Sequence, residues 1–184
     1  MSVSGFLATV APPLLASVAS LLAKRALDYL PNGFFLFGTR NLKVTLPGGK
    51  SEYLLRRQSS PEALSNALAE YLAYEAVVQA ALRQAGPVNT DVRDIPDKAD
   101  FKVSVAGKTF LVEAKTHPEA VTGRELRALL VAEPADGLVL VTPEALATSR
   151  RERILAESGG IVRFVSGKDI ATLEGQLAAS FQYL

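Results

Sequence analysis

The chain has 184 residues, of which 48% are hydrophobic and 21% charged, a balance that supports one globular domain with a short appendage and excludes disorder and fibrous repeats. With no cysteine and a single histidine, His117, it cannot build a disulfide framework, a thiolate metal site or a histidine-rich metal cluster. Net charge is +1 but unevenly spread: residues 1–60 hold seven basic side chains against two acidic ones, the remainder thirteen against seventeen.

Residues 6–23 are nearly all apolar, yet Pro12-Pro13 interrupts the run and Lys24 and Arg25 follow it rather than precede it. That arrangement fits neither a signal peptide nor a membrane span. From Pro12 onward Leu14, Leu15, Val18, Leu21, Leu22, Ala26, Tyr29 and Leu30 keep helical spacing, and Pro31-Asn32-Gly33 ends the run. The expectation is an amphipathic helix docked on the body or on a second copy. The protein is expected to be a cytoplasmic homodimer with no stable membrane association.

Residues 34–37 and 42–46 read as short strands, and Pro47-Gly48-Gly49-Lys50 as a hairpin turn into a strand over 53–56. Ser60-Pro61-Glu62 opens a helix that should run to about Gln84, where Gly86-Pro87 stops it. Residues 89–98 read as a polar loop. A hairpin follows, with strands over 101–105 and 109–114 around a turn containing Gly107. Thr122-Gly123-Arg124-Glu125 has capping-box spacing and opens a helix to about Ala132. Residues 137–141 form a buried parallel strand, 143–157 a helix, 161–165 a strand and 168–184 a last helix. From Ser60 the order α β β α β α β α predicts an α/β domain of packed layers with a mixed central sheet, preceded by an extension over 1–59.

The chemistry concentrates in the hairpin. Phe110, Leu111, Val112 and Ala114 make a strand buried on both faces, yet Glu113 and Lys115 stand at its end, two apart and therefore on one side. A two-residue turn at Ala106-Gly107 would place Asp100 opposite Glu113. A turn at Gly107-Lys108 would place it opposite Lys115. In either register Asp100, Glu113 and Lys115 share a face, roughly 5 to 8 Å apart. Two carboxylates so close repel unless a divalent cation or the lysine ammonium sits between them. Two carboxylates, a neighbouring backbone carbonyl and positions open to water suit Mg²⁺, and a lysine beside it can orient a water or take its proton.

Asp100 followed after a hairpin by Glu113-Ala114-Lys115 resembles the signature of the PD-(D/E)xK restriction-endonuclease-like superfamily, nearest to Mrr-type domains and then to archaeal Holliday-junction resolvases. The resemblance covers about residues 60–177. It includes Tyr74-Glu75 before Gly86, residues 137–142, and Ser166-Gly167-Lys168-Asp169 after the last strand. It implies a three-layer core and a Mg²⁺-dependent endonuclease acting on DNA, with Mn²⁺ able to substitute. Carried over residue by residue, Asp100 and Glu113 would be metal ligands, assisted by the Ala114 carbonyl. Lys115 would position the attacking water, and Glu75 would support a second cation or a water. Ala99 stands where the family carries proline, and Pro96-Asp97 lies just upstream, so Asp97 is the alternative acid. Mrr-type domains often carry Gln at the position of Glu113.

Candidate nucleic-acid contacts are Lys43, Lys50, Arg56 and Arg57 on the hairpin extension, and His117, Arg124 and Arg127 near the acidic cluster. Three of them have a plainer reading: His117 as a loop cap before Pro118, Arg124 and Arg127 as a solvated face. Arg150, Arg151 and Arg153 read as solvent-facing, and Tyr71 and Tyr74 as core. A catalytically inert nuclease-fold module that binds nucleic acid or protein is the alternative, with Lys115 simply neutralising Asp100 and Glu113.

Overall fold

The computed structural model describes residues 41–45, 52–56, 61–86, 91–94 and 99–182. The chain divides into two units, Met1–Ala73 and Tyr74–Leu184, with the boundary inside a long helix. In the first unit, β1 (Asn41–Thr45) pairs antiparallel with β2 (Glu52–Arg56), Asn41 opposite Arg56 and Thr45 opposite Glu52, as the hairpin reading expects. The expected helix from Pro12, the strand over 34–37, the turn with Lys50, and Arg57 lie outside the described residues. Helix α1 (Pro61–Ala85) begins at the proline that suits a first turn and ends beside Gly86.

The second unit holds a five-stranded sheet in the order β3-β4-β5-β6-β7. Its strands are β3 (Asp91–Asp94), β4 (Phe101–Val105), β5 (Lys108–Ala114), β6 (Gly137–Thr142) and β7 (Val162–Ser166). Strand β4 runs antiparallel to both β3 and β5, and β5, β6 and β7 run parallel, so the sheet is mixed. Each parallel step is bridged by a helix: α2 (Gly123–Ala132) between β5 and β6, α3 (Thr148–Ser158) between β6 and β7. Helix α4 (Ile170–Gln182) closes the chain.

Two apolar layers hold the sheet. On one face, Tyr74, Val78, Ala81 and Leu82 of α1 and Leu173 and Leu177 of α4 pack with Phe101, Val103, Val112, Ala114, Val139, Val141 and Val165. On the other, Leu126 and Ile154 of α2 and α3 pack with Ala99, Leu111, Leu138, Leu140 and Val162. The alternation along β5 sorts Val112 and Ala114 to one layer and Leu111 to the other, as a strand covered on both faces requires. The α/β class with helices on both faces of a mixed sheet therefore stands. Among the described residues no helix is long and apolar enough to cross a membrane.

Two elements differ from the sequence reading. The stretch read as a polar loop contributes β3, which pairs with β4 from Asp91 opposite Ser104 to Asp94 opposite Phe101. A short edge strand gains its ladder from its neighbour and carries charge to discourage further pairing, so Asp-Val-Arg-Asp holds no hydrophobic alternation to detect. Residues 143–147 are not helical, and α3 starts only at Thr148. The Thr142 hydroxyl donates to the Glu144 carbonyl at 2.7 Å, a local bond that competes with a helical turn there. The capping box at Thr122 and Glu125 forms as the spacing predicts.

Helices α2 and α3 touch at Gly123, whose N–H donates to Glu157 Oε2 at 2.9 Å. A Cβ there would stand 2.4 Å from the Ile154 carbonyl oxygen and 2.9 Å from the Ser158 nitrogen, backbone atoms that cannot swing aside. A Cβ at Gly175, inside α4, would meet nothing within 4 Å. Gly123→Ala should therefore lower the unfolding free energy by about 1–3 kcal/mol through overpacking. Gly175→Ala should raise it by up to about 1 kcal/mol through helix propensity. Urea denaturation of the two variants should give shifts of opposite sign; equal shifts would contradict the close approach at Gly123.

Candidate active site

The register of the β4–β5 hairpin is set by its turn. Val105 pairs with Lys108, so only Ala106 and Gly107 lie between, with φ of 51° and 79°. Two successive residues in the left-handed region are the mark of a tight turn matched to strand twist, and glycine carries the second at little cost. Of the two registers open from sequence, the first is the one observed. Phe101 stands opposite Val112, and one step further brings Asp100 opposite Glu113.

The two acids are tied by reciprocal bonds. The Ala114 N–H donates to Asp100 Oδ2 at 2.7 Å, and the Asp100 N–H donates to Glu113 Oε2 at 3.3 Å. Lys115 follows the strand, its N–H donating to the Val141 carbonyl of β6 at 2.9 Å. Its Nζ lies 2.5 Å from Glu113 Oε1 and 3.8 Å from Asp100 Oδ2. Side-chain exposures of 16% for Asp100, 11% for Glu113 and 27% for Lys115 show a cluster sunk in the protein yet open at the lysine. Glu75 joins from α1, its carboxyl hydrogen-bonded to that of Asp100.

Electrostatics follow from this crowding. Burial pushes the Asp100 carboxyl up to about 7, and the Glu75 charge adds to the rise; the Lys115 ammonium and the Ala114 amide pull the other way. Burial likewise pushes Glu113 up to about 7, helped by the Asp100 charge and opposed by Lys115 and the Asp100 amide. One ammonium does not balance three carboxyl groups, so near neutral pH the cluster holds protons that a metal cation would displace.

Among the described residues, no group of three or more Asp, Glu, His or Cys side chains is arranged to hold a metal ion. A cation here would rest on fewer protein ligands and more water. The donor set fits that kind of binding: two carboxylates with hard oxygen donors, and the Ala114 carbonyl, which on an antiparallel strand points to the same side as the Ala114 amide that meets Asp100. Mg²⁺ keeps several waters and needs only one or two carboxylates from the protein. Asp97 lies outside the described residues.

His117 is exposed, with Nδ1 3.7 Å from Glu119 Oε1. It precedes the 3₁₀ turn Pro118–Ala120, but its side chain makes no capping hydrogen bond, so the loop-cap reading is corrected. Arg124 and Arg127 are exposed on α2, and the charge of Arg124 acts on Glu157 of α3. Lys43 and Arg56 lie on β1 and β2 in the first unit.

Arg150 is the second correction. Instead of facing solvent, its Nη2 donates to the carbonyls of Glu119 and Val121 at 2.9 and 2.5 Å, while its Nε is buried without a hydrogen-bond partner. The segment that follows Lys115 is thereby stitched to the first turn of α3. Arg151 lies over the Phe164 ring at 5.2 Å and Arg153 pairs with Glu157 at 3.0 Å. Tyr74 is core as expected, but its hydroxyl donates to the Gly167 carbonyl at 3.0 Å. Neither the Arg150 clasp nor the Tyr74 bond has a sequence signal, because each joins residues far apart to a backbone carbonyl.

The raised acids bear on stability. Asp100 and Glu113 titrate near 7 in the folded chain against 3.8 and 4.5 for their ordinary values. Between those limits the folded state binds more protons than the unfolded one, so stability falls as pH rises through the window and levels off above it. Thermal unfolding without metal should occur at higher temperature at pH 5 than at pH 8, and Asp100→Asn should reduce that difference. A melting temperature that rises from pH 5 to pH 8 would contradict the buried-acid electrostatics.

No protein-family model matches the chain, and no curated protein is significantly similar to it.

Proposed function

We propose that the chain is a Mg²⁺-dependent endonuclease that hydrolyses DNA phosphodiester bonds on a restriction-endonuclease-like core of the Mrr type. One observation carries the reading: at the end of β5 Lys115 Nζ lies 2.5 Å from Glu113 and 3.8 Å from Asp100, the two acids are cross-tied through backbone amides, and Glu75 stands against Asp100. The carboxyl ends of parallel strands are where α/β sheets place their ligands. The layered mixed sheet, with α1 ahead of the hairpin and β6 and β7 after it, agrees with the core that the sequence resemblance implies.

Asp100 and Glu113 would hold the ion, with the Ala114 carbonyl as a further oxygen donor. When bound, Mg²⁺ or Mn²⁺ would polarise the phosphate and lower the pKa of a coordinated water. Lys115, tethered by its backbone to β6, orients the attacking water and offsets the charge that develops on the phosphate. Glu75 holds Asp100 in place and accepts a proton or a hydrogen bond at the edge of the site. In the reaction the water oxygen forms one P–O bond in line as the bond to the leaving oxygen breaks. A proton leaves the water, and another reaches the departing oxygen. Cleavage of both strands of a duplex fits a cytoplasmic homodimer, with the extension over 1–59 as interface or DNA arm through Lys43, Lys50, Arg56 and Arg57.

A second reading has one observation in its favour. The Lys115 ammonium already bridges the two acids, so the cluster can be neutralised without a metal, as in an inert module that binds nucleic acid or protein.

Supercoiled plasmid incubated with Mg²⁺ or Mn²⁺ separates the two. Wild type should nick and linearise it, with the rate falling steeply as salt rises. Asp100→Asn, Glu113→Gln and Lys115→Ala should each lose about 10²-fold or more, the scale for removing a group that stabilises transition-state charge. Equal rates in all four proteins, or no metal-dependent cleavage, would reject the hydrolytic reading.

A further inference from the structure

Helix α1 meets the sheet through an apolar stripe, Tyr74, Val78, Ala81 and Leu82, buried in the layer it shares with α4. Such contacts are non-directional. They hold the helix face against the sheet but supply no directional bond that fixes its register. The cluster is sensitive to that register, because Glu75 reaches Asp100 from this helix. One residue step on a helix is a rise of about 1.5 Å and a turn of about 100°, enough to take a carboxyl out of hydrogen-bond range.

The Tyr74 hydroxyl adds a directional contact next to Glu75. It donates to the Gly167 carbonyl at 3.0 Å, from a buried ring. The acceptor is itself held: the Gly167 N–H donates to the Thr142 carbonyl at 3.0 Å, at the end of β6. A Cβ on Gly167 would stand 2.9 Å from Thr172 Cγ2 and 3.2 Å from Leu173 Cδ2, so the first turn of α4 closes over it. Burial pushes the Tyr74 phenol far above its ordinary value, which keeps it a donor throughout the working pH range.

We infer that Tyr74 is a positioning residue: its bond to the Gly167 carbonyl locks α1 onto the ends of β6 and β7, and so sets where the Glu75 carboxyl meets Asp100. The inference rests on reading the acidic cluster as the functional site, but it concerns an arrangement that exists without metal or substrate. A tyrosine that merely satisfied its own hydroxyl in the core would affect stability and leave Asp100 undisturbed.

The test uses the full chain with ¹³C-carboxyl aspartate, at pH 8 and without metal. The Asp100 resonance is assigned by its loss in Asp100→Asn, then followed in wild type, Tyr74→Phe, Glu75→Gln and the double variant, each shown folded by thermal unfolding. Glu75→Gln should move the Asp100 resonance. Tyr74→Phe should move it the same way by at least half as much, and the double variant no further than Glu75→Gln alone. An Asp100 resonance unmoved by Tyr74→Phe, or additive shifts in the double variant, would overturn the inference; so would an Asp100 indifferent to Glu75→Gln. Mn²⁺ titration of the same four proteins judges the metal reading separately. A wild type that binds no Mn²⁺ rejects the metal reading and leaves the positioning role of Tyr74 to be decided by the resonance shifts.

Discussion

Everything proposed for this chain depends on one pairing, Asp100 across from Glu113, and on the charge that pairing concentrates. The tight turn at Ala106-Gly107 fixes it, since a slip of one residue would exchange the faces of every side chain along β4. The strands are locked in that register by their burial: β4 alternates buried and half-buried residues, and β5 is buried through its last five. Apolar packing thus forces two carboxyl groups together that would separate if free. The protein offsets the repulsion in two ways, with the Lys115 ammonium and with a reciprocal pair of backbone amides. The offset is incomplete, and burial with the neighbouring charges pushes both acids up to about 7.

A site built this way is poised rather than relaxed. Buried like charges cost free energy in the absence of a partner, and perturbed acids of this kind cluster where proteins do chemistry. The surrounding architecture keeps the strain local. Two apolar layers clamp the sheet from both faces, and the Arg150 clasp holds the segment after Lys115. Tyr74 ties α1 to the opposite side of the same end of the sheet. Rigid elements, rather than loops alone, therefore present the ionisable groups, which is the condition for holding a reactive geometry.

Much of this was legible in the residues. The strand Phe110, Leu111, Val112 and Ala114, interrupted by Glu113, announces a two-face burial with a charged group at its end. The capping box at Thr122 and Glu125 and the glycine-bounded helix α1 are local signals, and they form where the spacing places them. The hairpin left two registers open, because Gly107 could occupy either turn position; the fold selects one through the pairing of the whole strands. β3 was illegible, because an edge strand of Asp-Val-Arg-Asp has no hydrophobic period and exists only through its ladder to β4. The same holds for Arg150 and Tyr74, whose partners are distant carbonyls that no motif encodes. Only the family resemblance points to Glu75, since a helix bearing one acid says nothing of what it faces.

The most direct test is a crystal of the protein soaked in Mn²⁺ and measured for anomalous scattering. The account predicts a peak between the Asp100 and Glu113 carboxylates, within reach of the Ala114 carbonyl, with the Lys115 ammonium moved off Glu113 Oε1. A crystal in which Lys115 keeps its contact with Glu113 at millimolar Mn²⁺, and no peak lies between the acids, would contradict it.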